Sequence, residues 1–449
     1  MPTRTVIVLG GGIAGLASAV RLIQRGLKPI VLEKRPFLGG RAYSFIDRET
    51  GIEIDNGQHV FVGACKQFQK YIADIGVDDQ VMLDDRVRFP VVKQDQISWL
   101  RGRKLPSALS NLSMLIGYRH IGITDKIRIL WGLLSIKRTN LDIRYDQVTF
   151  YDWLKVHHQN EDTIKNFWNL IILPSLNDNI NCVSAYTGIS LFKVAFLGPI
   201  KNAAIGFPLV GLSSLVGEKA QNLIETAGGA IKTGFSATSL HMESGQVTGV
   251  RNQDGELVKG NAVISAMPAS DMTSLLEHSA DIQHDFFKPA ESVQTAPIVA
   301  IHIWYDRPVL SEKYMAILDS PLQWVFNDTL LKSRDDSGAQ HIVISLSGAW
   351  EWQDHSKEEL KEIFTAEMAR TFPQARTAII TRFTVVKMLE ATFRVSVGSL
   401  ASRLPQKTPV PGFYLAGDWT DTGWPSTMES AVRSGNLAAD CVAEDIANR

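Results

Sequence analysis

An uninterrupted apolar run, TVIVL at residues 5–9, fits a strand buried on both faces. Over residues 13–25 the apolar positions recur at helical spacing, with small residues on the side that would face a sheet. PIVLE at 29–33 then reads as a second strand. Strand, glycine turn, helix and strand within about 30 residues make a βαβ unit. The far end of the chain uses the same elements: GFYLAGD (412–418) reads as a strand and PSTMESAVRSGNLAADCVAEDI (425–446) as a helix. Both ends are therefore expected in one α/β domain.

The middle follows other periods. Residues 105–136 are amphipathic and predict helix, as do 149–171 and 186–197. Residues 228–265 alternate, predicting short strands with turns at Glu243-Ser244-Gly245 and Asp254-Gly255. IVAIHIWY (298–305) and HIVISLS (341–347) predict strands of a second sheet. The pattern gives an α/β fold in two parts. A Rossmann-like nucleotide domain is built from residues 1–85, 205–275 and 395–449. An α+β substrate domain is inserted as residues 86–204 and 276–394. The uncharged stretch 5–20 resembles a secretory h-region, but its glycines, its shortfall from ~20 apolar residues and Arg21 fit a buried strand and helix better.

Composition narrows the function. The 449 residues are 45% apolar and 21% charged with net charge -1, so bulk charge gives no reason to expect nucleic acid. Cys65, Cys182 and Cys441 lie far apart, which argues against a disulfide framework and for a reducing, cytoplasmic compartment. His157 and His158 have no metal-like companion, and no metal site is expected.

Gly10-x-Gly12-x-x-Gly15 follows the first strand and opens the helix. The first glycine allows the tight turn, the second lets backbone approach a pyrophosphate, and the third lets helix and strand pack closely. The N–H groups at Ile13 and Ala14 would then face phosphate. Glu33 ends the second strand, 18 residues after Gly15, in position to accept ribose hydroxyls, with Lys34 beside it. Together these predict a dinucleotide site.

LGGRAYS (38–44) places Gly39, Gly40 and Arg41 just after the ribose acid. It resembles the second phosphate motif of the FAD-binding amine oxidase and phytoene desaturase superfamily, where arginine can neutralise diphosphate. LAGDWTDTGWPSTMESAVRSG (415–435) resembles the segment in which Gly417-Asp418 would bind the ribityl-phosphate region. There the helix starting near Ser426, Thr427 and Met428 would point its positive end at the isoalloxazine. Ser426-x-x-Glu429 predicts a capping box at that helix start. No cysteine lies in the segment, so FAD would be held non-covalently there. Residues 228–240 resemble the strand that meets adenine, with Ala237 in place of the usual valine.

DNGQH (55–59) sets a carboxylate, two amides, a glycine and an imidazole side by side. In the superfamily this backbone passes under the flavin, which explains Gly57 and brings Gln58 to the cofactor. Asp55 is expected to fix the turn. DNGQH, FWNLIILPSLN (167–177), QWVFND (323–328), LEATF (389–393) and the 415–435 segment together resemble the hydroxysqualene dehydroxylase branch, along essentially the whole chain. Met388-Leu389-Glu390 departs from that branch's charged triplet, and Ser430 from its glycine.

The resemblance implies an amine-oxidase-like fold in which reduced FAD delivers hydride to an allylic carbon of hydroxysqualene while water leaves. A proton donor is then required. His59 is the first candidate because imidazole titrates near neutral pH, with Asn177 and Asp421 next. Trp324 and Trp424 would line the cavity of a lipophilic substrate. The expected partners are such a polyisoprenoid, upstream enzymes of squalene formation and a membrane surface.

Residues 101–138 carry eight Lys/Arg and one acid, Asp125, among apolar residues. This stretch is expected either to dock on the inner face of an anionic membrane or to cap the substrate cavity. Rival readings are a carotenoid-type desaturase, an amine oxidase and a flavin-less prenyl-lipid binding protein. No lysine in 298–305 or 341–347 supports an amine oxidase, and the intact glycine triplet argues against the flavin-less reading.

Overall fold

The computed structural model describes residues 4–48, 51–103, 105, 113–279, 282, 285–334 and 338–448. Its first sheet is five-stranded and parallel, in the order Ala230–Thr233, Lys28–Glu33, Thr5–Leu9, Ala262–Ser265, Phe413–Leu415. Val6, Ile7 and Val8 on the central strand are wholly buried, as a strand covered on both faces requires. Helix Ile13–Gln24 crosses from the first strand to the second. The terminal helix Met428–Ala447 packs against it at Gly435, where a Cβ would come within 2.3 Å of the Ala14 carbonyl oxygen.

A second, seven-stranded sheet takes its strands from both inserted segments. Its order is Ile380–Phe393, Thr295–Tyr305, Gln340–Ser347, Trp324–Asn327, Tyr314–Leu318, Arg88–Lys93, Gln96–Arg101. The register puts Val299, Ile301 and Ile303 on one face, under Leu360, Phe364 and Met368 of helix Lys357–Thr371. Ala300, His302 and Trp304 share the opposite face with His341, Val343, Trp324 and Phe326. That face meets the DNGQH segment: a Cβ on Gly57 would stand 3.8 Å from Ala300 Cβ. The helical insertion packs around Phe150, Trp168 and Phe192, all fully buried.

Three expectations are corrected. Residues 105–136 are not helical throughout: the helix is Ile123–Arg138, capped by Gly122, and residues 106–112 lie outside the described residues. The helix expected over 149–171 is interrupted after Phe150–Val156, where His158 turns to φ 61°, and restarts with Asn160 as N-cap. The helix after Pro425 is capped by Thr427, whose Oγ1 accepts from Ser430 N at 3.4 Å, and there is no Ser426–Glu429 box. Glu429 instead accepts from Phe68 N at 2.8 Å and Arg433 Nε at 2.7 Å, which takes its carboxylate away from the helix end. Among the described residues no helix is long and apolar enough to cross a membrane.

Candidate functional site

Two glycine loops meet at the carboxyl end of the parallel sheet. Gly39 N donates to Gly11 O at 2.9 Å, and Gly12 and Gly39 pair as an isolated bridge. Gly10 (φ 103°) and Gly39 (φ 104°) adopt backbone that glycine alone takes without strain. At Gly15 a Cβ would fall 1.9 Å from Gly10 O, so the third glycine closes the turn onto the helix. Gly12 is the helix N-cap and makes no side-chain bond, which leaves the first-turn N–H groups, at Ile13 and Ala14, for a ligand. A Cβ there would meet nothing nearer than Gly40 Cα at 3.6 Å.

Glu33 is buried beside this turn. It accepts from Gly11 N at 2.6 Å and Arg35 N at 2.8 Å, which fixes the carboxylate while leaving it lone pairs for hydroxyl donors. Lys34 points outward to Asp271 at 2.7 Å. Ala237 begins a strand just after Phe235, whose N–H donates to Glu33 O at 2.9 Å.

The second corner is built on Gly417 (φ 129°) and buried Asp418. Arg41 and Ser426 both bond the Asp418 carboxylate. Burial alone would raise the Asp418 pKa; Arg41 and Ser426 hold it below the ordinary carboxylate value. Arg41 is thus seated on Asp418 and on Ala391 O at 3.2 Å, between the two loops. Arg403 was not foreseen. It is buried and binds Thr420 O at 2.7 Å and Asp418 O at 3.2 Å, so it holds the 418–422 loop from behind. Ser430 joins it: its Oγ lies 2.7 Å from Thr422 Oγ1 and donates to Asp418 O at 3.1 Å.

The DNGQH segment is pinned by its own polar side chains. Asp55 accepts from Ser44 Oγ at 2.8 Å, Leu212 N at 2.9 Å and Lys332 Nζ at 2.9 Å. Asn56 donates to Arg41 O at 2.8 Å. Gly57 is left as bare backbone facing Ala300, and Gln58 is half-buried beside it. His59 Nδ1 lies 3.1 Å from Gly57 O, a pure acceptor, so Nδ1 donates there whether the ring is neutral or protonated. Burial lowers the His59 pKa. That shift favours the neutral imidazole, and the Gly57 carbonyl holds the ring in place within the segment.

The other acid-base candidates are placed differently. Asn177 caps a helix in left-handed backbone (φ 54°), donates to Thr392 Oγ1 at 2.9 Å and Ala296 O at 3.3 Å, and accepts from Gly348 N at 2.7 Å. Both its N–H bonds are spent on joining that helix to the second sheet. Asp421 is exposed and closes a loop through Gly423 N at 3.2 Å. Trp324 lies in an aromatic row with Phe89, Tyr314 and Phe326 on the face turned to DNGQH. Trp424 lies under the Arg433 guanidinium at 4.4 Å.

Beneath DNGQH runs a buried network that the sequence did not announce. Asp328 Oδ2 bonds His341 Nδ1 at 3.0 Å, and His341 Nε2 lies 3.1 Å from His302 Nδ1. Lys332 bridges Asp328 at 3.0 Å and Asp55. Burial would raise the Asp328 pKa, but His341, Lys332 and Arg334 hold it well below the carboxylate range.

Residues 13–443 match the family described as flavin containing amine oxidoreductase. The chain belongs to that family. Solved structures share its fold: putrescine oxidase bound to putrescine superposes with TM-score 0.74 at 16% identity, covering 100% of this chain and 99% of that one. Cyclohexylamine oxidase from Brevibacterium oxydans gives 0.72 at 16%, covering 99% and 100%. In sequence the chain is similar to carotenoid-pathway desaturases. It is 25% identical to 15-cis-phytoene desaturase of Capsicum annuum (98% of this chain, 78% of the relative). It is 24% identical to zeta-carotene desaturase of Synechocystis (97% and 96%). The residues present fit the family's flavin: the open backbone at Gly12 and Gly40, the free first-turn N–H groups and the fixed Glu33 carboxylate form a cradle for a dinucleotide.

Proposed function

We propose that the chain is an FAD-dependent oxidoreductase acting on a polyisoprenoid chain, in the desaturating direction. FAD, when bound, supplies the hydride acceptor for desaturation or the hydride donor for the reverse. It would be held without a covalent link by the Gly10–Gly15 turn, Glu33, Gly39-Gly40 and the Gly417-Asp418 corner. The helix start at Thr427-Met428 would face its ring.

The observation that carries the direction is His59. Desaturation removes a hydride and a proton from neighbouring carbons and forms a double bond. The proton needs an acceptor, and a neutral His59 ring donating through Nδ1 to Gly57 O would offer Nε2 for it. Relatives that desaturate carotenoids along nearly the whole of this chain support the same direction. Trp324, Phe326 and Phe89 offer the apolar wall that a hydrocarbon needs.

A second reading runs the other way: dehydroxylation of hydroxysqualene to squalene. The combination of DNGQH with the 415–435 segment favours it. Product analysis under argon separates the two. Oxidised protein given phytoene should yield a desaturated polyene, whereas reduced protein given hydroxysqualene would yield squalene. If neither substrate is converted, both readings fall and the fold alone stands.

A further inference from the structure

Exposed large apolar side chains gather on one region of the surface. Helix Ile123–Arg138 buries Ile129, Leu133 and Ile136 on one side. On the other it exposes Ile123 (74%), Ile127 (63%), Leu130, Trp131 and Leu134. Their spacing makes a single stripe along the helix. An ordinary surface helix would carry polar residues there.

The stripe continues into its neighbours. Lys126 Nζ donates to Ile116 O at 3.4 Å, and Ile116 is exposed. Segment 116–119 lies on strand Gln96–Arg101, because Ser98 Oγ accepts from Arg119 N at 2.7 Å. Ile97 on that strand is exposed as well.

Where strand Gln96–Arg101 meets segment 113–119 lies a cavity of about 620 Å³, walled by Arg86, Arg101, Arg103 and Arg119, with Ile97 and Trp99 among its other walls. Arg88 lies over the Trp99 ring at 5.2 Å. Asp85, exposed, pairs with Arg86 at 3.3 Å. Over residues 101–138 the only acid is Asp125, which bonds Arg128 and Asn160.

We propose that this face is a docking surface for an anionic lipid bilayer, with lipid phosphate groups entering the arginine cavity and the Ile123–Leu134 stripe lying among the upper acyl chains. Each half supports the other. A basic cavity alone would take any phosphate, and an apolar stripe alone would take a second copy of the chain. Arginines beside an outward apolar helix match the two layers of a membrane surface, charged headgroup above hydrocarbon. Arginine suits the role because its planar fork binds phosphate oxygens in pairs. The inference deepens the polyisoprenoid reading, since a hydrocarbon substrate resides in a bilayer, but the site is testable without any substrate.

The test is co-sedimentation of the full-length holoprotein with vesicles of phosphatidylcholine containing or lacking phosphatidylglycerol. Binding to the anionic vesicles, weakened by added salt, is expected. R101E/R119E should lose at least about tenfold in affinity for anionic vesicles, because each basic residue near such a surface accounts for roughly fivefold. I127E/L130E should lose binding by removing the apolar half. Both pairs are exposed, and an unchanged melting temperature and flavin spectrum would confirm that they fold. Wild-type protein that ignores anionic vesicles would overturn the proposal. So would variants that bind as wild type does, or a wild-type dimer that I127E/L130E merely splits into monomers. Displacement of the protein from vesicles by millimolar inorganic phosphate at constant ionic strength would make the cavity a free-phosphate site and would also overturn it. Failure of the hydride reading would look different: vesicle binding intact, with no conversion of detergent-dispersed substrate.

Discussion

The Lys332 ammonium stands 2.9 Å from the Asp55 carboxylate, with the two side chains only 5% and 8% exposed. Asp55 opens the DNGQH segment, and Lys332 follows the strand that carries Trp324. One buried ion pair therefore ties the DNGQH backbone to the seven-stranded sheet. Burial alone would lower the Lys332 pKa; Asp328 and Asp55 hold it above the ordinary value.

Lys332→Met should destabilise the fold by about 3–5 kcal/mol, because it leaves Asp55 buried without its cation and Asp328 with Arg334 and His341. Asp55→Asn keeps the Ser44 contact and should cost less. Urea midpoints of the two variants and the double variant measure the coupling. A Lys332→Met midpoint equal to wild type would show that the pair is not a structural tie.

Stability should fall as pH drops below about 6.5. Burial and the neighbouring His341 hold the His302 pKa well below 6.5, and His59 is lowered too. An unfolded imidazole takes up a proton as pH falls through about 6.5, while the folded one does not, so protons favour the unfolded chain. The stabilising contribution is full above that pH and is lost toward the folded pKa. The melting temperature should drop between about pH 7.5 and 5.5. His302→Leu should flatten that slope, leaving the part due to His59. An unaltered slope would assign the effect to other groups.

Gly12→Ala should fold and bind flavin poorly. The new methyl meets only Gly40 Cα at 3.6 Å in the protein itself, yet it lies where a pyrophosphate must approach. A loss of at least about tenfold in FAD affinity is expected from one unmade close contact of about 1.4 kcal/mol. Calorimetric titration of the apoprotein reads it, and wild-type affinity would move the phosphates elsewhere.

His59→Ala should lower kcat by about 10²–10⁴-fold if the imidazole accepts the proton. His59→Gln, which cannot take the proton, should not rescue it. The pH profile is the decisive readout: kcat in wild type should fall on the acid side as the ring becomes protonated, and that limb should vanish in His59→Ala. Retention of the limb would leave His59 a packing group.

Much of the frame was legible in the sequence because its signals are local. The Gly10–Gly15 turn, Glu33 at a strand end and the alternation of 228–265 each declare themselves within a few residues, and the structure has them where the pattern puts them. What stayed hidden depends on pairing across the chain. His302 and His341 alternate onto one face, but only the pairing of their strands brings the rings together. Arg403 reads as an ordinary basic residue until the 418–422 loop closes over it. Thr427 displaced Ser426 as the cap because Asp418, eight residues earlier, claims the serine hydroxyl. The contact between His59 Nδ1 and the Gly57 carbonyl depends on the local turn, which no residue pattern encodes.

The central claim, hydride exchange between a bound flavin and a polyisoprenoid, is tested most directly by flavin absorbance in a single anaerobic turnover. Purified protein should be yellow. Phytoene in lipid vesicles should bleach the oxidised flavin band, with one desaturated product formed per flavin reduced. Reoxidation of reduced protein by hydroxysqualene, with squalene formed in equal amount, would keep the claim and reverse the direction. A colourless protein, or a flavin whose spectrum neither substrate alters, would contradict it.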